Sequence, residues 1–257
     1  MDQKKFMDIS RIKEDTELTV ANTGGFHVGD HIVIQEKVDG SNSAIAYDKE
    51  TNKLVAFSRR QTLDYNNTLN GFWNWVQTLA VEPFSKYPNY VFFGEWLTSH
   101  TIKYIQDAYK KFYFYDVYDK ENECYLPQSE VKRLADELNL RYVQTFYDGE
   151  FVSWEHCMSF MHKSDIAVDV PEGIVVKNQT ELNNPNSRTP FVLKIVNSQF
   201  SEIKKDNHRQ KVEDPQKLAA KAKASDIVEQ IVTKIGLLDK KNDKRPSIKY
   251  LLKVLDH

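Results

Sequence analysis

Short apolar runs, not long helical stripes, decide what this chain can fold into. His31–Gln35, Ala44–Tyr47, Leu54–Ser58, Tyr90–Phe93, Phe112–Tyr118, Gly173–Lys177 and Phe191–Val196 are rich in Val, Ile, Phe and Tyr. Such residues suit a pleated, half-buried surface, so each run reads as a strand. Helical patterns interrupt them without regular alternation. Asn67–Leu79 carries Leu69, Phe72, Trp73, Val76 and Leu79 at helical spacing. Ser129–Leu140 places Val131, Leu134, Ala135 and Leu138 on one face behind Ser129 as N-cap. Strands and helices mixed in this way predict an α+β fold, not a doubly wound parallel sheet.

The pattern changes near residue 204. Lys204–Lys211 is a charged linker, and Asp214-Pro215 is a helix start with Asp as cap and Pro at the first helical position. Leu218, Ala222, Ile227, Ile231 and Ile235 continue an amphipathic stretch to Gly236, and a second short helix, Ser247–Leu255, follows Pro246. The expected organisation is a domain over 1–204 and a small helical C-terminal region over 205–257. The formal net charge of −2 shows no overall basic excess, so any nucleic-acid surface must be a local patch. Cys124 and Cys157 have no metal-ligand spacing and read as free thiols in a reducing cytoplasm. No apolar signal segment and no apolar run of membrane-spanning length is present, so no membrane partner is expected.

Charged residues sit in or at the ends of these strands. Lys37 follows His31–Gln35 and precedes Asp39-Gly40; Arg59 and Arg60 close Val55–Ser58; Glu95 follows Val91–Gly94. Asp116 lies within the aromatic run, Glu172 opens Gly173–Lys177, and Lys194 interrupts Phe191–Val196. Burying a charge is costly unless it is paired or liganded. One such charge is usually a salt bridge; this many, of both signs and mostly at strand ends, outline a cleft. Cations suit a polyphosphate, carboxylates a divalent metal such as Mg²⁺, and an aromatic face a purine base. A lysine amine whose pKa is lowered by neighbouring cations or metal can attack phosphorus. In isolation Asp39-Gly40 reads better as a hairpin turn with Lys37 solvated.

Six segments resemble, in order, the motifs of the covalent nucleotidyltransferases, which include polynucleotide ligases and mRNA capping enzymes. They are Lys37-Val38-Asp39-Gly40-Ser41-Asn42, Phe57-Ser58-Arg59, Phe93-Gly94-Glu95-Trp96, Phe114-Tyr115-Asp116-Val117, Glu172–Lys177 and Leu193-Lys194-Ile195-Val196-Asn197. A lone K-x-D-G is weak; the ordered set is strong. Asn42, where DNA ligases and capping enzymes usually carry arginine, is similar to the RNA ligase 2 group, and so is Asn197–Glu202. The resemblance implies a nucleotidyltransferase (adenylation) domain with mixed, mainly antiparallel sheets. It implies an ATP-dependent RNA ligase that uses Mg²⁺, with Mn²⁺ as a substitute. Its partners would be ATP and RNA with 5′-phosphate and 3′-hydroxyl ends, handled by a monomer.

The resemblance also implies roles. Lys37 would form lysyl-AMP, Glu172 would engage the metal, and Lys177 and Lys194 would neutralise phosphate, Lys194 as part of the catalytic set. Glu95 would contact the ribose, and Arg59 the ribose or a phosphate. Tyr115 would stack on adenine, Glu36 would lie beside its edge, and Asn42 near the transferred nucleotide. One departure stands out: Val196 occupies a position that is usually a second lysine, so one phosphate contact is either missing or supplied elsewhere, as by Lys204 or Lys205. The alternatives are a GTP-dependent capping-type guanylyltransferase, a nucleotide- or RNA-binding module without catalysis, and, more weakly, a DNA nick-sealing enzyme.

Overall fold

The computed structural model describes residues 4–13, 25–182 and 192–200. The strands are β1 (Ser10–Lys13), β2 (His31–Glu36), β3 (Ser41–Asp48), β4 (Lys53–Ser58), β5 (Tyr90–Trp96), β6 (Phe112–Asp119), β7 (Cys124–Tyr125), β8 (Arg141–Tyr142), β9 (Thr145–Glu150), β10 (Gly173–Asn178) and β11 (Val192–Val196). The helices are α1 (Phe72–Val76), α2 (Glu82–Ser85), α3 (Gln128–Glu137) and α4 (Trp154–Met158). Each run read as a strand from its Val, Ile, Phe and Tyr content forms one over its described residues. Two sheets result. The first has the order β1-β11-β10-β2-β9, antiparallel except for the parallel β1–β11 pair. The second runs β4-β3-β5-β6-β7, with β8 parallel to β6. This is the expected α+β fold with mixed, mainly antiparallel sheets.

Alternation of side chains along each strand builds the cores. Ile32 and Ile34 of β2, Ile174 and Val176 of β10 and Ile195 of β11 bury against Phe151, Cys157, Phe160 and Met161 behind the first sheet. Ile45, Phe92, Phe112 and Phe114 bury against Phe72, Val76, Val131 and Leu134 behind the second. The opposite faces of the two sheets are then left to line a cleft.

Two helix expectations need correction. Asn67–Leu79 is helical only over α1, because Leu69 and Asn70 take φ of 48° and 53° and Gly71 takes 94°. A right-handed helix cannot contain such residues. Leu69, Trp73 and Leu79 still pack on the apolar cluster, so the spacing reported burial correctly and helix length wrongly. Ser129 is not an N-cap: α3 starts after Pro127, and its first amide, Gln128 N–H, donates to the Gln179 side chain at 2.8 Å. With that donor satisfied from outside the helix, a serine cap has less to do. The region 205–257, with both of its expected helices, and Lys204 and Lys205 lie outside the described residues.

Candidate active site

The chain leaves the first sheet at Glu36 and enters the second at Ser41. Lys37-Val38-Asp39-Gly40 is therefore the crossing between two sheets, not a hairpin. Four hydrogen bonds hold it. Lys37 N–H donates to the Gly173 carbonyl at 3.0 Å. Asp39 N–H donates to the Tyr104 hydroxyl at 2.7 Å. The Asp39 carboxylate accepts the Thr101 and Ile102 amides at 2.9 and 3.1 Å. Asp39 thus staples the lysine turn to the segment after β5. Gly40 has no side chain for a steric reason: a Cβ there would lie 2.7 Å from the Trp96 carbonyl oxygen and 2.8 Å from Glu95 Cγ.

Lys37 projects into an open cleft between the two sheets. The first sheet contributes Gln35, Val175, Lys177 and Lys194; the second contributes Asn42, Arg59, Glu95, Tyr113, Tyr115 and Asp116. Eight of the nine residues expected at the site (Glu36, Lys37, Asn42, Arg59, Glu95, Tyr115, Lys177 and Lys194) line this cleft. The ninth, Glu172, meets Lys37 directly: Oε2 lies 2.9 Å from Nζ.

The electrostatics around Lys37 run opposite to the expected activation by neighbouring cations. Burial works to lower its pKa, but the carboxylates of Glu172, Glu95 and Asp39 prevail and hold the ammonium above the usual lysine range. Glu95 pays the converse penalty. Burial, then repulsion from Glu172 and Asp39, pushes its carboxyl up to about 8 against the pull of Lys37. The ligand-free site therefore holds more carboxylate than one ammonium can neutralise. That surplus fits a divalent cation. Among the described residues no group of three or more His, Cys, Asp or Glu is arranged to hold a metal alone. Mg²⁺ typically takes one or two carboxylates and completes its shell with water and substrate phosphates, so Glu172, with Glu95 nearby, suits it.

The aromatic wall depends on an irregularity. Phe93 pairs with Asp116 and Gly94 with Phe114, which leaves Tyr115 as an extra residue in β6. This bulge turns both Tyr115 and Asp116 to the cleft, where strict alternation would hide one of them. Asn42 Nδ2 donates to the Tyr115 hydroxyl at 2.5 Å. Phe6 packs edge-on to its ring at 5.2 Å. Below it, Lys177 Nζ donates to Asp116 Oδ1 at 2.9 Å and to the Tyr115 carbonyl at 2.8 Å. Burial raises the Asp116 carboxyl and lowers the Lys177 ammonium. Gln128 also donates to Asp116, and Gln35 binds Gln128 and Tyr142, giving a polar layer under the cleft. Glu36 accepts from the Ser164 hydroxyl, and burial pushes its carboxyl up to about 7.

Lys194 forms no ion pair among the described residues, and burial together with Lys37, Arg59 and Arg11 lowers its pKa. Arg59 pairs with Asp8. Val196 is 1% exposed and packs with Val38, Tyr113 and Val143, so it offers no polar contact. Sequence reasoning missed the N-terminal segment: Phe6, Met7 and Ile9 line the cleft and β1 pairs with β11. The available signal was the apolar set Phe6, Met7, Ile9 and Ile12, too short to read alone. It also missed the stapling role of Asp39 and the layer under the cleft.

A family model described as RNA ligase matches residues 30–196, well over half of the chain. The chain belongs to the RNA ligase family. Its fold is similar to that of an archaeal ATP-dependent RNA ligase, with a TM-score of 0.55 and 20% identity over 77% of this chain and 49% of that one. A Naegleria gruberi RNA ligase mutant in the apo state gives a TM-score of 0.51 and 18% identity over 69% of this chain and 52% of that one. Another mutant of that ligase, with ATP and Mn, gives 0.51 and 19% over 69% and 53%. The chain spans about half the length of these structures. No curated protein sequence matches it.

Proposed function

We propose that the protein is an ATP-dependent RNA ligase working through a lysyl-AMP intermediate on Lys37. The observation that carries this reading is Lys37 Nζ held 2.9 Å from Glu172 in a cleft that also presents Tyr115, Arg59 and Lys194. Membership of the RNA ligase family supports RNA as substrate, and the similar ligase solved with ATP and Mn supports ATP and a divalent cation. A bound divalent cation would offset the carboxylates that hold the Lys37 proton and would neutralise phosphate charge.

With Glu172 engaged on the divalent cation, its hold on the Lys37 ammonium weakens and the proton passes to solvent. The free amine attacks the α-phosphorus of ATP; the N–P bond forms, the bond to pyrophosphate breaks, and its electron pair leaves with pyrophosphate. Tyr115 offers its face to adenine and Asn42 fixes the tilt of that ring. Glu36 lies by the base edge and Glu95 by the ribose. Lys194 and Arg59 meet the phosphates, with Arg59 exchanging Asp8 for them. Lys177 acts from beneath, holding Asp116 ionised and Tyr115 in place. In the second step the RNA 5′-phosphate takes AMP, the N–P bond breaks and Lys37 regains a proton. In the third, the RNA 3′-hydroxyl attacks that phosphate, the phosphodiester forms and AMP leaves. The reading includes a monomer, and a reducing cytoplasm for which the two free cysteines are the support.

Incubation with α-labelled nucleotide and Mg²⁺ tests the choice of donor. Acid-labile protein label from ATP is the expected result. Label from GTP alone supports a capping-type guanylyltransferase, and no label from either supports a binding module.

A further inference from the structure

Arg11 lies outside the matched family region, at a position that none of the ordered motifs covers. It sits on β1 and pairs in register with Lys194 of the parallel strand β11. Register partners in adjacent strands point to the same side of a sheet. The neighbouring pair agrees: Ile12 and Ile195 are both buried, leaving Arg11 and Lys194 on the cleft side. Arg11 is exposed and stands just beyond the residues that line the cleft. It is close enough for its charge, with those of Lys37 and Arg59, to depress the Lys194 ammonium.

Four cations thus gather at one side of the cleft. Lys37 is matched by Glu172 and Arg59 by Asp8, whereas Lys194 has no ion pair among the described residues. Lys194, without an ion pair among the described residues, lies in register beside the Arg11 cation, and a ligand anion bound by the two would relieve their repulsion. Val196, two residues along β11, is buried among apolar side chains and cannot help. Lys194 and Arg11, side by side across two strands, form a two-cation platform suited to a diphosphate. Arginine fits that task through its fork of donors.

We propose that Arg11 binds the β- and γ-phosphates of ATP, and so the departing pyrophosphate, in partnership with Lys194. The inference rests on the ligase reading above. In group-transfer terms Arg11 takes up charge on the leaving group as the α-phosphorus–oxygen bond breaks. It has no part in later steps, which release only AMP.

The test separates loading from sealing, with R11Q and R11K run beside wild type. R11Q should raise KM for ATP in lysyl-AMP formation about tenfold, roughly the worth of one charge-assisted contact. The pyrophosphate concentration that discharges the adduct should rise by a similar factor. Sealing of pre-adenylylated RNA, which needs no triphosphate, should stay within about twofold of wild type, and R11K should recover most of the loading. Unchanged ATP and pyrophosphate dependence in R11Q overturns the proposal. So does an equal fall in loading and sealing, which marks a structural role for β1. Failure of wild type to form any adduct is a different result: it rejects the ligase reading itself.

Discussion

Glu95 and Lys37 show how far a residue's surroundings can invert a sequence reading. A lysine among cations should lose its proton readily; here the nearest charges are carboxylates and the ammonium is stabilised. The cost appears on Glu95, whose carboxyl is raised from 4.5 to about 8. A carboxyl raised on folding contributes stability that is complete below its unfolded pKa and is lost as pH rises through the folded value. The ligand-free protein should therefore lose stability as pH rises from about 4.5 to about 8. Thermal melts across that range, compared with E95Q, check this: the variant should show a shallower fall. Added Mg²⁺ should help wild type more above pH 8 than below it, because the cation competes with the Glu95 proton. Equal slopes for both proteins contradict the assignment. None of these directions was legible in the sequence, since they depend on which charges the two sheets bring within reach of Lys37.

At the scale of elements, the strands were legible and their junctions were not. Val, Ile, Phe and Tyr mark β2, β6 and β10 by local preference alone. The bulge at Tyr115, the parallel pairing of β1 and the short α1 depend on long-range register and on left-handed backbone at Leu69–Gly71. One junction carries a sharp prediction. Gly173 accepts the Lys37 amide, takes φ of 144°, and a Cβ there would lie 2.1 Å from the Ile195 carbonyl oxygen. G173A therefore meets backbone strain and a backbone clash together. A loss of about 3 kcal/mol is expected from the two, or roughly 6–12 °C in melting temperature for a domain of this size. Calorimetry reads this directly. A melting temperature within about a degree of wild type contradicts the tight β10–β11 approach.

At the scale of the whole molecule, the site is made by the seam between two sheets. The motifs fall on the crossing from β2 to β3 and on β4, β5, β6, β10 and β11, places scattered through the chain, and only the fold brings them to one cleft. Their order and residue types were visible in the sequence because each is a polar residue at an otherwise apolar strand. The N-terminal wall and the polar layer under the cleft were not visible, because Phe6, Gln35 and Gln128 gain meaning only through their neighbours in space. Family membership and fold agree with this architecture, and the chemistry is concentrated in one amine. Intact-protein mass after incubation with ATP and Mg²⁺ tests that claim most directly. The account predicts a gain of one AMP in wild type and none in K37A. An unchanged wild-type mass, or an AMP adduct that persists in K37A, contradicts it.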